Sequence, residues 1–147
     1  MVTPTLPLCM PVDDRRRYSW SGIFEIRFAV RENRLSDPAR VTREDCLWYI
    51  AGPGIWVWQD GERINGFSAS DTRDGSIWAL FVDPANEGRG IGRALLEAAL
   101  KPLRAAGYTT ATLSTGVGTR AARFYREASW TEDGLTPKGE QRFRLPL

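Results

Sequence analysis

Ser76-Ile77-Trp78-Ala79-Leu80-Phe81-Val82-Asp83-Pro84-Ala85-Asn86-Glu87-Gly88-Arg89-Gly90-Ile91-Gly92-Arg93-Ala94-Leu95-Leu96 decides how this chain folds. Its first seven residues are mostly apolar, the composition of a strand, and Asp83-Pro84 ends them. A Gly-rich turn follows, after which Ile91, Leu95, Ala98 and Ala99 recur at helical spacing. A strand, a Gly-rich turn and a helix start, in that order, bring main-chain N–H groups and the positive end of the helix dipole to one point. That is an anion site. Glycines at 88, 90 and 92 let the backbone approach a pyrophosphate without Cβ interference, and Arg89 and Arg93 can add charge-assisted contacts. Glycines also serve tight turns for steric reasons alone, and the pattern by itself leaves that alternative open.

The flanking sequence gives this motif its setting. Thr5 to Val12 reads as a short strand, broken by Pro7 and Pro11 and therefore near an edge. Asp13 or Asp14 then caps a helix to about Arg31, with Ile23, Ile26 or Arg27, and Val30 at helical spacing and Phe24 and Phe28 as a second apolar stripe. Asn33 to Val41 reads as loop, and Thr42-Arg43-Glu44-Asp45 resembles a capping box opening a short helix through Ile50, stopped by Gly52-Pro53-Gly54. Ile55-Trp56-Val57-Trp58, the turn at Asp60-Gly61, the returning strand Ile64 to Ser70, the turn at Asp74-Gly75 and the strand Ser76 to Val82 form an antiparallel meander. The helix opened at Ile91 ends before Gly107, and Pro102 should kink or break its last turn. Thr109 to Thr115 is a further strand, Thr119 caps a helix through Ala128, and Gln141 to Leu145 is a final alternating strand. The sum is an α+β fold with a mostly antiparallel sheet flanked by helices.

At 147 residues, 42% of them hydrophobic, residues 1–147 read as a single domain with a real core. Twenty Lys and Arg against eighteen Asp and Glu leave a net charge of +2 without a long basic run, so neither nucleic acid nor an acidic membrane is called for. Met1 to Asp14 lacks the basic-then-apolar pattern of a leader, and no segment is apolar enough to span a bilayer, which points to the cytoplasm. The chain has no histidine, which excludes Ser-His-Asp and Cys-His hydrolases and any histidine base. Cys9 and Cys46 are too few for a disulfide framework or an ordinary zinc site, so they read as reduced structural thiols and no metal is expected.

Two nucleotide motifs are excluded: no Gly-Lys-Ser/Thr follows the glycines, and Gly-x-Gly-x-Gly is not the dinucleotide spacing. The segment Glu87 to Gly92 instead resembles the Gln/Arg-x-x-Gly-x-Gly/Ala signature of the GNAT superfamily of N-acetyltransferases, extended by Leu80-Phe81-Val82-Asp83-Pro84 before it and Ala94-Leu95-Leu96 after it. The family's second motif, Asn-x-x-Ala-x-x-Phe-Tyr, maps onto Gly118, Ala121, Phe124 and Tyr125. The resemblance implies a mixed, mostly antiparallel sheet of about six to seven strands flanked by about four helices, with acetyl-CoA wedged into a V-shaped opening. It places the pantetheine arm along Leu80, Phe81 and Val82 and the pyrophosphate on Gly88 to Gly92, with Glu87, Arg89, Ile91 and Arg93 around it. It further implies that Tyr125 lies near the cofactor sulfur and protonates the leaving thiolate; the alternative for Tyr125 is a core aromatic. Three positions depart from the pattern: Glu87 for Gln or Arg, Gly118 for Asn, and Ser129-Trp130 for Gly-Phe. A carboxylate at Glu87 should weaken diphosphate binding unless it points to Arg89 or Arg93.

For the acceptor, Phe24, Phe28, Glu32 and Trp78 are the candidates, within a set that includes Glu25, Trp48, Trp56 and Trp58. Glu25, Phe28 and Glu32 share one helix face, and carboxylates beside aromatic rings suit an amine that is cationic before it reacts. Core packing of the rings and a solvated face for the glutamates are the plain alternatives. The expected reaction is direct attack of an amine, from a small molecule or a peptide, on the thioester, with a main-chain N–H near Phe81 or Val82 stabilising the oxyanion. No ionisable side chain stands in Ser76 to Leu80, so the acceptor's proton would pass to water, or through water to Glu25 or Glu32. A non-catalytic acyl-CoA-binding module of the same fold, or a protein-interaction domain, is the other reading; a homodimer is compatible with exposed strand edges.

Overall fold

Turn chemistry and alternation build the sheet. In the computed structural model, which describes residues 8–11, 43–60 and 63–147, seven strands form one sheet: β1 (Leu8–Pro11), β2 (Ile55–Asp60), β3 (Arg63–Asp71), β4 (Ser76–Val82), β5 (Thr110–Thr115), β6 (Thr131–Leu135) and β7 (Gln141–Pro146). Their order is β1-β2-β3-β4-β5-β7-β6, and every neighbouring pair is antiparallel except β4 with β5. The described helices are α1 (Arg43–Ala51), α2 (Ile91–Ala105) and α3 (Arg120–Glu127). The expected helix to Arg31 and the loop to Val41 lie outside the described residues.

Ile55 and Val57 of β2 pair with Ala69 and Phe67 of β3, so the period of two puts all four on one face, where they pack with Tyr49 of α1. Gly66 and Ser68 alternate to the other face and meet α2: the Ser68 hydroxyl donates to the Leu95 carbonyl at 2.8 Å, and a Cβ on Gly66 would strike Leu95 at 2.8 Å. Glycine there is what lets helix and sheet close together. A second core joins α2, α3, β5 and β7 through Leu96, Leu100, Leu103, Leu113, Tyr125, Trp130 and Phe143.

Two elements differ from expectation. Pro102 does not break α2, which runs on to Ala105; Leu100 and fully buried Leu103 anchor it on either side, and the Pro102 carbonyl still accepts from Ala106 at 2.9 Å. Burial of those leucines outweighs one missing ladder bond. Strand β6 has no periodic signal, since Thr131–Leu135 is exposed throughout, and it is a strand because its backbone pairs with β7.

The register contains two irregularities that matter for the site. Between Ala69↔Ala79 and Ser70↔Ile77, β4 carries Trp78 as an extra residue; between Trp58↔Gly66 and Gln59↔Ile64, β3 carries Asn65. Such bulges bend a strand and re-aim a side chain. Past the Trp78 bulge, β4 leaves β5: the two share a single bridge, Ser76↔Thr112.

Candidate active site

The parting of β4 and β5 leaves a cavity of about 640 Å³. Leu80, Phe81 and Val82 form one wall, the turn Asn86–Gly88 and the start of α2 (Gly90–Arg93) close one end, and Arg120, Ala121, Arg123, Phe124, Tyr125 and Glu127 of α3 form the opposite wall. Asp83 starts the turn: its Oδ1 accepts from the Ala85 N–H at 3.0 Å, and Pro84 to Asn86 make one turn of 3-10 helix. Gly88 and Gly90 both sit at φ +80°, in the left-handed region, and nothing lies within 4 Å of where their Cβ atoms would be. Gly90 is the N-cap of α2 and offers no side-chain cap, and no acidic residue occupies the first turn. The leading N–H groups of α2 therefore precede the first intrahelical bond, Ala94 to Gly90 at 3.2 Å, and face the cavity end uncompensated by a carboxylate in that turn. Three arginines and two glutamates line the cavity, a surplus of one positive charge added to the helix dipole. This donor set, with room where side chains would stand, fits a diphosphate.

The remaining wall is aromatic. Thr119 caps α3, its hydroxyl accepting from the Ala122 N–H at 3.1 Å, and the helix presents Tyr125 to the cavity. Tyr125 is buried, packed edge-on against Phe124 and Trp130 at 5.2 and 5.6 Å and against Phe143 at 5.8 Å. Burial pushes its hydroxyl well above the ordinary phenol range. Tyr125 is thus a core aromatic that also lines the cavity.

Of the residues proposed from sequence, Leu80, Phe81, Val82, Glu87, Gly88, Gly90, Ile91, Gly92, Arg93 and Tyr125 come together around this one cavity. Arg89 does not line it. Its guanidinium turns to Asp60 at 3.2 Å and Asn86 Oδ1 at 2.8 Å, because a carboxylate from the β2 strand end is within reach. Glu87 does not point to Arg89 or Arg93; it pairs across the cavity mouth with Arg120 at 2.6 Å. Arg93 donates to the Glu127 carbonyl at 3.2 Å. Trp78 stands apart, stacked on Tyr49 with centroids 4.0 Å apart. Phe24, Phe28 and Glu32, with Glu25, lie outside the described residues. Sequence reasoning missed Arg120, Arg123 and Glu127, although with Phe124 they recur at i, i+3, i+4 and i+7 from a capped helix start, the spacing of one face. Among the described residues no cluster of His, Cys, Asp or Glu could hold a metal, and no helix is long and apolar enough to cross a membrane.

Residues 51–131 match the family model described as an acetyltransferase (GNAT) domain. Among curated proteins, the chain is 42% identical over 88 residues to a mycothiol acetyltransferase of Beutenbergia cavernae, a match covering 58% of this chain and 28% of that protein. The chain therefore corresponds to under a third of that relative's length. Among solved structures it is similar to PH1933 from Pyrococcus horikoshii (TM-score 0.77, 21% identity, 96% of this chain and 98% of that one). It is likewise similar to yncA from Salmonella typhimurium, solved with its cofactor acetyl-CoA (TM-score 0.70, 16% identity, 96% and 94%). With the family model spanning more than half of the sequence and the fold shared over nearly all of it, the chain belongs to the GNAT family of acetyltransferase domains.

Proposed function

We propose that the protein transfers an acetyl group from acetyl-CoA to an amine, with both bound at once. The observation that carries this reading is the convergence, on one cavity, of the uncapped start of α2, the diverging wall Leu80–Val82 and Tyr125. Acetyl-CoA would supply a thioester carbonyl open to attack by the amine nitrogen. Gly88, Gly90 and the first N–H groups of α2 would hold its diphosphate, with Arg93, Arg120 and Arg123 as the nearby cations. Leu80–Val82 would flank the pantetheine arm. Tyr125, kept protonated by burial, would donate a hydrogen bond to the departing sulfur. Full proton transfer from so weak an acid to a thiolate of ordinary pKa about 8.5 is uphill, so the hydrogen bond itself is the larger contribution.

Membership of the family supports acetyl transfer, and the relative named as a mycothiol acetyltransferase puts that enzyme's acceptor on the panel to be tried. The test is free-thiol release from acetyl-CoA with a panel of amines, run beside calorimetric binding of CoA. Binding with amine-dependent thiol release supports transfer. Binding without release for every amine leaves a non-catalytic CoA-binding module, and no binding at all removes the reading.

A further inference from the structure

Resting on the cofactor reading above, we infer that Asn65 is a positioning residue for the phosphate cradle. It holds the turn Asp83–Gly90 to the β2–β3 hairpin, and Arg89 is a strut of that attachment, not a phosphate ligand. Asn65 is the extra residue of the β3 bulge, and it is a 2% exposed polar side chain in a strand whose neighbours are core. The bulge turns it to two partners: its Nδ2 donates to Asp60 Oδ2 at 2.6 Å, and its Oδ1 accepts from Asn86 Nδ2 at 3.3 Å. Its carbonyl accepts from the Asp83 N–H at 2.7 Å, where the turn begins. Asn86 passes the connection on, its Oδ1 accepting from Arg89, whose same nitrogen also reaches Asp60. Asp60, Asn65, Asn86 and Arg89 thus form a closed ring of hydrogen bonds behind the cradle, and Asn86 is also part of the cavity wall.

Magnitudes pick out Asn65 from the other links. The Arg63–Asp83 pair also joins hairpin to turn, at 2.9 Å, but the Arg63 side chain is 69% exposed, and such surface pairs contribute little. Asn65 is buried and donates to a carboxylate, the charge-assisted kind of bond that is costly to leave unmade. Without it Asp60 loses a donor, Asn86 loses its anchor and Arg89 loses its alignment, and the turn carrying Gly88 and Gly90 gains freedom. Those glycines have no side chains with which to hold themselves, so their fixed geometry must come from such neighbours.

The experiment compares wild type with Asn65→Ala, and with Asp60→Asn at a partly exposed strand end, which serves should Asn65→Ala not fold. Amide hydrogen exchange is measured without ligand, then CoA binding and the kinetic split. Exchange at the hydrogen-bonded turn amides of Asp83, Ala85 and Asn86 should quicken in the variant while that of β5 and β7 stays unchanged. Kd and KM for the cofactor should rise roughly tenfold or more, with kcat at saturation within about twofold. For Asp60→Asn combined with Arg89→Gln, which removes both charges of the pair, the dependence of CoA affinity on salt should match wild type. Unchanged exchange and unchanged Kd in a folded Asn65→Ala protein would overturn the inference, as would a flattened salt dependence in the paired Asp60→Asn, Arg89→Gln protein. Wild type failing to bind CoA would instead sink the cofactor reading, and the exchange comparison would still decide whether Asn65 holds the turn.

Discussion

On the proposed reading, Tyr125, Gly90 and Gly92 are where single atoms would decide the outcome. Tyr125→Phe keeps the ring that packs on Trp130 and Phe143 and removes only the hydroxyl. CoA affinity should stay within about twofold while kcat falls, by roughly 10²-fold if donation to the sulfur is its whole task. An unchanged kcat would leave Tyr125 as packing alone. The glycines, alike in sequence, are unlike in structure. A Cβ at Gly90 meets nothing within 4 Å but the residue must adopt φ +80°, whereas a Cβ at Gly92 would press on the Phe124 ring at 3.3 and 3.4 Å. Gly90→Val should therefore weaken CoA binding at least about tenfold, with only the left-handed strain of about 1–2 kcal/mol on stability. Gly92→Val should in addition push α2 from α3 and lower Tm further; equal Tm losses for the two would contradict this distinction.

At the scale of elements, the end of α3 stores strain beside the site. The Ser129 N–H donates to the Arg126 carbonyl at 3.1 Å and the Trp130 N–H to that of Tyr125 at 2.9 Å, the paired bonds of a Schellman cap. Such a cap wants glycine in its left-handed position, and here Ser129 adopts φ 72°. Ser129→Gly should stabilise the protein by about 1 kcal/mol, raising Tm by roughly 2–4 °C without changing activity. A lower Tm would mean that the serine makes a contact worth more than its strain. Most elements were legible from local pattern: β4 begins and ends where its apolar run does, and Thr119 caps α3 as its position before an amphipathic run implies. What local pattern could not give were β6, which has no buried face, and the continuity of α2 through Pro102, which depends on leucines packed by other elements.

Across the whole molecule, charge pairs join segments far apart in sequence. The Tyr49 hydroxyl of α1 donates to Asp71 at the end of β3 at 3.2 Å, while Arg73 grips the same carboxylate at 3.0 and 2.8 Å and lies 3.9 Å from the Trp48 ring centre. The hydrogen bonds from Arg73, opposed by burial, hold the Asp71 carboxyl below its ordinary 3.8. A depressed carboxyl pKa contributes stability that is present above the unfolded value and is lost as pH falls below it. Thermal denaturation from pH 7 to pH 2 should thus show Tm falling below about pH 4, and Asp71→Asn should start lower at pH 7 but fall less steeply. Parallel acid limbs for the two proteins would show that Asp71 is not responsible. The sequence by itself determined the order of the described elements other than β6, the lack of any histidine and the Gly-rich, uncapped start of α2, because periodicity, capping and glycine conformation are local properties of a few neighbouring residues. Only the tertiary structure decided which cations face the cavity. Arg89 and Glu87 each have several oppositely charged candidates along the chain, and the partner taken is the one that sheet register and helix packing bring within hydrogen-bond reach: Asp60 for one, Arg120 for the other.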